Sequence, residues 1–231
     1  MSKWFGTFVL VGALALPVLA ESPDPAAAGL TTRERLDALV ERVKSAQKDL
    51  KSLEARFVQV KQSEMFLTPQ EARGTFSFLA PDRVRWEFAS PKPMTVVIDR
   101  NKMTTWFRDL NRAEEVTIGR YSEKVFKYLG ASGSLETLLQ YFNVTAVFPK
   151  DAEEAYKLDF SPRFERVAKR LKGMTLWIDR ASYMPVRLRY EDPEGDVTEY
   201  RFEGLRLNAA IPVDRFDLNI PKTVAVERIA G

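Results

Sequence analysis

The sequence predicts an α+β protein that is mostly β: one large, curved antiparallel sheet of roughly a dozen strands, with helices covering its concave face. Three observations carry this expectation. Apolar and polar residues alternate with a period of two over most of the chain from Leu53 onward. Two stretches, one near the start and one in the middle, repeat at helical spacing instead. Proline and polar turns punctuate the strands, as at Pro81-Asp82 and Asp192-Pro193-Glu194-Gly195. At 231 residues, 45% hydrophobic, 29% charged and 11% aromatic, the chain has globular proportions and the length of one undivided β-rich domain.

The elements follow in order. Lys3, the uncharged run Trp4 to Leu16, and the small-residue exit Val18-Leu19-Ala20 have the pattern of a secretory signal peptide over residues 1–20. The run is too short for a membrane span, which needs about 20 apolar residues. Export to a periplasm-like space is therefore expected, with cleavage near Ala20. Residues 21–30, small and proline-containing, read as a flexible linker, and 31–231 as a single domain. Thr31 and Glu34 form a capping box ahead of an amphipathic helix over about 32–50, carrying Leu36, Leu39, Val40, Val43 and Leu50.

Strands begin at Leu53. Gly74, Phe76 and Phe78 share one face of the second strand, and Val84, Trp86 and Phe88 one face of the third, with Arg83, Arg85 and Glu87 opposite. Pro91 and Pro93 break that strand. Met94 to Ile98 and Met103 to Phe107 form a hairpin around Asp99-Arg100-Asn101, and Ala113 to Ile118 reads as another strand. Tyr121, Val125, Phe126 and Leu129 are spaced for a short helix; Leu135, Leu138, Leu139 and Phe142 for a second, capped by Ser134. Strands follow near 144–148, 156–161, 171–179, 186–191, 197–205 and 216–220.

Composition excludes several kinds of chemistry. The chain has no cysteine and no histidine, which removes Ser-His-Asp and Cys-His triads and the His- and Cys-based zinc sites. Glu21 stands where a lipid-anchored protein would carry its modified cysteine. A formal net charge of +3 is too small to point to a nucleic-acid partner. Gly130-Ala131-Ser132-Gly133-Ser134 lacks a Walker lysine and does not match G-x-S-x-G. Asp192, Glu194 and Asp196 do not have EF-hand spacing and read as a polar hairpin tip. Arg163, Arg166, Lys169, Arg170 and Lys172 form a basic cluster that reads as solvated surface, with contact to anionic lipid head groups as the alternative. No carboxylate pair points to catalysis, and neither an enzyme nor a cofactor is expected.

Aromatic residues crowd into one region: Phe57, Phe76, Phe78, Trp86, Phe88, Trp106 and Phe107. By composition they fit a filled core first, and the lining of a hollow on the concave face of a half-barrel is the alternative. Pattern alone does not separate the two.

Taken together, these residues resemble the periplasmic outer-membrane lipoprotein carrier (LolA-like) family. The resemblance runs through Phe57-Val58-Gln59, Gly74-Thr75-Phe76-Ser77-Phe78, Pro81, Arg85-Trp86-Glu87, Pro91, Val97-Ile98-Asp99 and Trp106. It continues through Leu176-Trp177-Ile178-Asp179, Pro185, the Asp192 to Gly195 turn, Thr198 to Phe202, Asn208, Ile211-Pro212 and Phe216 to Pro221. It implies an incomplete, half-open antiparallel β-barrel of about eleven strands, closed by a helical lid over an apolar cavity. It implies a carrier of acylated lipoproteins, taking them from an inner-membrane ABC release complex to an outer-membrane acceptor, without a cofactor and as a monomer. A carrier or sensor of another envelope lipid or glycolipid on the same fold is the alternative. The lipid contacts it suggests are Phe57, Phe76, Phe78, Val84, Trp86, Phe88 and Trp106 from the sheet and Leu138 and Leu139 from the lid. The chain departs from the family pattern at Ala80, where an arginine that holds the lid shut is expected before the proline.

Overall fold

A computed structural model of the chain describes residues 22–65, 67–117 and 135–229. The short helix expected around Tyr121 to Leu129 lies outside them. Helix α1 (Thr32–Lys48) begins at the capping box: the Thr31 hydroxyl accepts from the Glu34 backbone N–H at 3.3 Å, and the Thr31 N–H donates to the Glu34 carboxylate at 2.8 Å. Its apolar stripe buries Ala38, Leu39, Val40 and Val43. Ahead of it, residues 22–30 are tied down by long-range bonds rather than hanging loose. Arg35 donates to the Pro25 carbonyl at 2.8 Å, and the Tyr156 hydroxyl to Asp24 at 3.3 Å. Burial and the nearby Asp24 charge push the Tyr156 phenol up to about 12.

Six strands follow: β1 (Ser52–Gln62), β2 (Gln70–Leu79), β3 (Arg83–Ser90), β4 (Met94–Asp99), β5 (Lys102–Phe107) and β6 (Arg112–Thr117). After the short helix α2 (Leu135–Tyr141) come β7 (Phe142–Val147), β8 (Tyr156–Pro162), the single turn α3 (Glu165–Ala168), β9 (Gly173–Ile178), β10 (Pro185–Glu191), β11 (Val197–Leu207) and β12 (Ala225–Ile229). All twelve form one sheet in the order β12-β6-β5-β4-β3-β2-β1-β11-β10-β9-β8-β7, which leaves β12 and β7 as edges, so the barrel is open. Every pairing is antiparallel except β12 on β6.

The C-terminal end differs from the expectation. No strand forms at 216–220. Val213–Phe216 instead makes a 3₁₀ turn after Pro212, and Asn219 takes a left-handed φ of 45° that interrupts any extended run. The turn packs Phe216, 5% exposed, against the outer side of β3, and the strand comes later as β12.

Curvature follows from which residues meet. Met103 on β5 and Leu188 on β10 have five strands between them, so about 29 Å would separate them in a flat sheet. They line the same cavity, so the sheet must curl around it. A bulge on β11, where Gly204 takes a φ of 62°, lies opposite Ala55 and contributes a local bend.

The concave face holds two cores. Under α1 and α2, the strands β7 to β10 contribute Phe142, Tyr156, Leu158, Phe160, Met174, Leu176, Ile178 and Leu188, which pack on Leu39, Val40, Val43, Leu135 and Leu138. The second core gathers Leu50, Leu53, Phe57, Phe76, Phe78, Val84, Ile98 and Met184. The first is covered by helices on its inner side. The second adjoins open space.

Candidate ligand-binding cavity

The β-alternation that gives each strand two faces places one set of side chains toward this space. Val84, Trp86 and Phe88 on β3, Met94, Val96 and Ile98 on β4, and Met103, Thr105 and Phe107 on β5 form one continuous wall. Gln59 on β1, Tyr200 on β11 and Leu188 on β10 form the other side. The volume enclosed is about 620 Å³. Lys61, Gln70, Pro91, Pro93 and Leu110 stand around the end where the β1–β2, β3–β4 and β5–β6 turns meet. Leu110 at that end is 66% exposed.

The exposure pattern distinguishes a hollow from a filled core. Phe57, Phe76 and Phe78 are only 1%, 2% and 3% exposed. Trp86, Phe88, Met94, Val96, Met103, Thr105 and Phe107 are all half-buried, although every one lies on a strand hydrogen-bonded on both sides. Large apolar side chains in the middle of a sheet retain that exposure only where nothing packs on them.

The floor is aromatic and tightly built. Trp86 sits at its hub, with ring centroids 4.6 Å from Phe76, 5.0 Å from Phe57, 5.2 Å from Tyr200 and 5.8 Å from Phe202. Most of these pairs are tilted or edge-to-face, the geometry that suits aromatic quadrupoles. Gly74 makes this possible. It lies opposite both Phe57 and Phe88, whose rings approach to 4.9 Å. A Cβ there would stand 2.0 Å from the Glu87 carbonyl oxygen and 2.7 Å from the Phe57 ring.

The sheet thus collects six of the nine side chains singled out from sequence. Val84, Trp86 and Phe88 line the wall, and Phe57, Phe76 and Phe78 form the floor beneath it. Trp106 projects from the other face of β5, with the Arg108 guanidinium 5.0 Å from its ring. Leu138 and Leu139 belong to the core under α1, away from the hollow. The lipid contacts suggested from sequence omit Met94, Val96, Met103, Phe107, Tyr200 and Gln59, which also line the cavity. The same period-two alternation that marked β3 would have found the first four.

Arginines beside Ala80 do not reach the cavity. Arg83 pairs with Asp99 at 3.4 Å, and Arg85 bonds Glu87 at 3.1 Å and the Arg215 carbonyl at 3.0 Å on the outer face. Burial works to raise the Glu87 carboxyl, but the bond to Arg85 and the charges of Arg85, Arg108 and Arg215 outweigh it and hold it below its ordinary value. The Asp192 to Asp196 turn closes on itself, with the Asp196 N–H donating to the Asp192 carboxylate at 2.9 Å and Gly195 at a φ of 92°. In the basic cluster, Lys169 pairs with Glu165 and Lys172 with Glu191. Among the described residues no three acidic side chains converge to ligate a metal, and no helix is long and apolar enough to cross a membrane.

An open antiparallel sheet curled around an apolar hollow, with helices on its concave side, defines the half-barrel class. Within that class the chain belongs to the family described as outer membrane lipoprotein carrier protein LolA, whose profile matches residues 48–219. The outer-membrane lipoprotein carrier protein of Alkalilimnicola ehrlichii is 29% identical over 188 residues, 79% of this chain and 80% of that protein. The protein of the same name from Pseudomonas fluorescens Pf0-1 is 28% identical over 211 residues, 90% of this chain and 94% of the relative. A conserved protein of Thermus thermophilus, known by its crystal structure, shares the fold with a TM-score of 0.53 at 16% identity, covering 84% of this chain and 99% of that one.

Proposed function

We propose that this chain is exported to the periplasm, loses residues 1–20, and carries lipoproteins by sheltering an acyl chain against the β3–β5 wall. Trp86, Phe88 and Val84 contact the chain directly, over the floor of Phe57, Phe76 and Phe78. It acts by binding and release rather than turnover. The observation that carries this reading is the half-buried apolar wall in the middle of a continuous sheet.

The energetics fit the task. Burying a methylene is worth about 0.8 kcal/mol, so a chain of ~16 carbons left in water costs over 10 kcal/mol. A hollow of about 620 Å³ holds on the order of twenty groups of water size at ~30 Å³ each. That is room for one such chain. A triacylated cargo brings three, so complete uptake requires the hollow to widen, and the cost of widening offsets part of the binding energy and aids release. Cargo would arrive from an inner-membrane ABC release complex and leave to an outer-membrane acceptor.

The test is release from spheroplasts. The mature protein added to spheroplasts should bring newly made lipoproteins into the supernatant as a stable complex. Lipoproteins that stay membrane-bound at every carrier concentration would overturn the reading. Ala80, in the place of the lid arginine, favours one second reading: a carrier or sensor of another envelope lipid on the same fold. Native mass spectrometry of the protein from its own host separates the two by the mass of the bound lipid.

A further inference from the structure

Inward of the polar rim of Lys61, Gln70, Glu71, Ser90, Lys92 and Asp109, the lining is apolar except for Thr105 on β5 and one polar pair. Gln59 on β1 faces Tyr200 on β11 across the ladder, and the Gln59 side-chain amide donates to the Tyr200 hydroxyl. Gln59 is 8% exposed and borders the cavity, as does Tyr200. That single bond leaves three capacities unused among the described residues: the Gln59 Oε1 acceptor, its second N–H, and the Tyr200 O–H proton. Burial and the neighbouring Tyr190 push the Tyr200 phenol up, against the opposing effect of the Gln59 bond, so it stays protonated and able to donate.

An acceptor and donors side by side in an apolar surround carry a cost unless something pairs with them. Their depth is informative. Gln59 lies two residues inward from Lys61 at the mouth, about 7 Å along the strand, and Phe57 of the floor is as far again beyond it. A ligand whose hydrocarbon lies on Trp86 and Ile98 would therefore set its first polar linkage at the level of the pair.

We propose that Gln59 and Tyr200 form a hydrogen-bonding station for the secondary amide that joins an acyl chain to the N-terminal residue of the cargo. The Gln59 Oε1 accepts from the amide N–H, and Tyr200 donates to the carbonyl of the residue that bears that N–H, since an extended residue presents both groups on one side. An ester offers the carbonyl but no N–H, so Gln59 discriminates N-acyl from O-acyl linkages. This inference rests on the acyl-carrier reading above.

The experiment compares two probes differing in one atom: N-palmitoylglycine methyl ester and the palmitate ester of methyl glycolate. Binding to the mature protein is read by displacement of a fluorescent fatty acid. The amide should bind about five- to tenfold more tightly, the effect of one net hydrogen bond. Gln59→Leu should erase the preference, whereas Tyr200→Phe should weaken both probes. Equal binding of the two by the unmodified protein overturns the station and leaves the carrier reading intact, and needs no variant to fold. Failure of both probes and of the fluorescent fatty acid to bind overturns the carrier reading and the station with it.

Discussion

Val96 lies in the middle of β4, paired with Trp86 on one side and Thr105 on the other, and its half-exposed side chain faces the hollow. Val96→Trp replaces three side-chain heavy atoms with ten. The seven added atoms displace about seven methylenes of a bound chain, worth about 5–6 kcal/mol in gross transfer energy at ~0.8 kcal/mol each. A tethered chain slides outward rather than abandoning the site, so the preferred length should shorten from ~16 carbons toward ~9. The fold should tolerate the change, because tryptophan suits a strand and the space is open. A filled core would be overpacked by the same substitution, at a cost of about 1–3 kcal/mol. The assay is displacement of a fluorescent fatty acid by a series of fatty acids from eight to eighteen carbons, with thermal unfolding of the same samples. Unchanged affinity for the long chains, or a thermal midpoint lowered as overpacking demands, would refute the cavity.

Gly74→Ala should destabilise by about 3 kcal/mol or more, read by denaturant unfolding, since its Cβ meets a backbone oxygen at 2.0 Å that cannot yield; a near-native midpoint would show that the Phe57–Phe88 packing over Gly74 is looser than described. Acid should weaken the fold partly through Glu199, 9% exposed and bonded by Arg187 and Arg201, each at 2.7 Å. Burial acts to raise this carboxyl, but the two arginines prevail and hold it lowered. A depressed folded pKa contributes stability that is present above the unfolded value near 4.5 and is lost as pH falls through the folded one. Glu199→Gln should accordingly flatten the acid limb of a stability–pH curve below about pH 4.5, and an unchanged limb would assign acid sensitivity elsewhere.

Much of the scaffold was legible in the sequence because its signals are local. The capping box fixed the start of α1, and the alternation of Val84, Trp86 and Phe88 gave the face of β3. What escaped depends on contacts distant in the chain. Met94, Val96 and Met103 are ordinary strand residues, and they line a hollow only because no side chain among the described residues covers them. The spacing of Leu138 and Leu139 marked an apolar helix face but not which half of the sheet it would meet. Trp106 has the opposite parity from Thr105 and Phe107 on β5, so reading it by its aromatic character rather than its alternation put it on the wrong side. Residues 22–30 look featureless by composition, yet Arg35 and Tyr156 hold them from 10 and 132 residues away.

Two thioethers face the hollow. Met94 and Met103 are unbranched, rotate about three bonds and fit irregular shapes at little cost. Discrimination between hydrocarbon tails should therefore be graded, with neighbouring lengths and single unsaturations accepted alike. The same softness is a vulnerability to oxidants: conversion of either sulfur to its sulfoxide puts a strong dipole into a greasy surface. Oxidants should then impair binding of an apolar ligand before they unfold the protein, and methionine sulfoxide reduction should restore it.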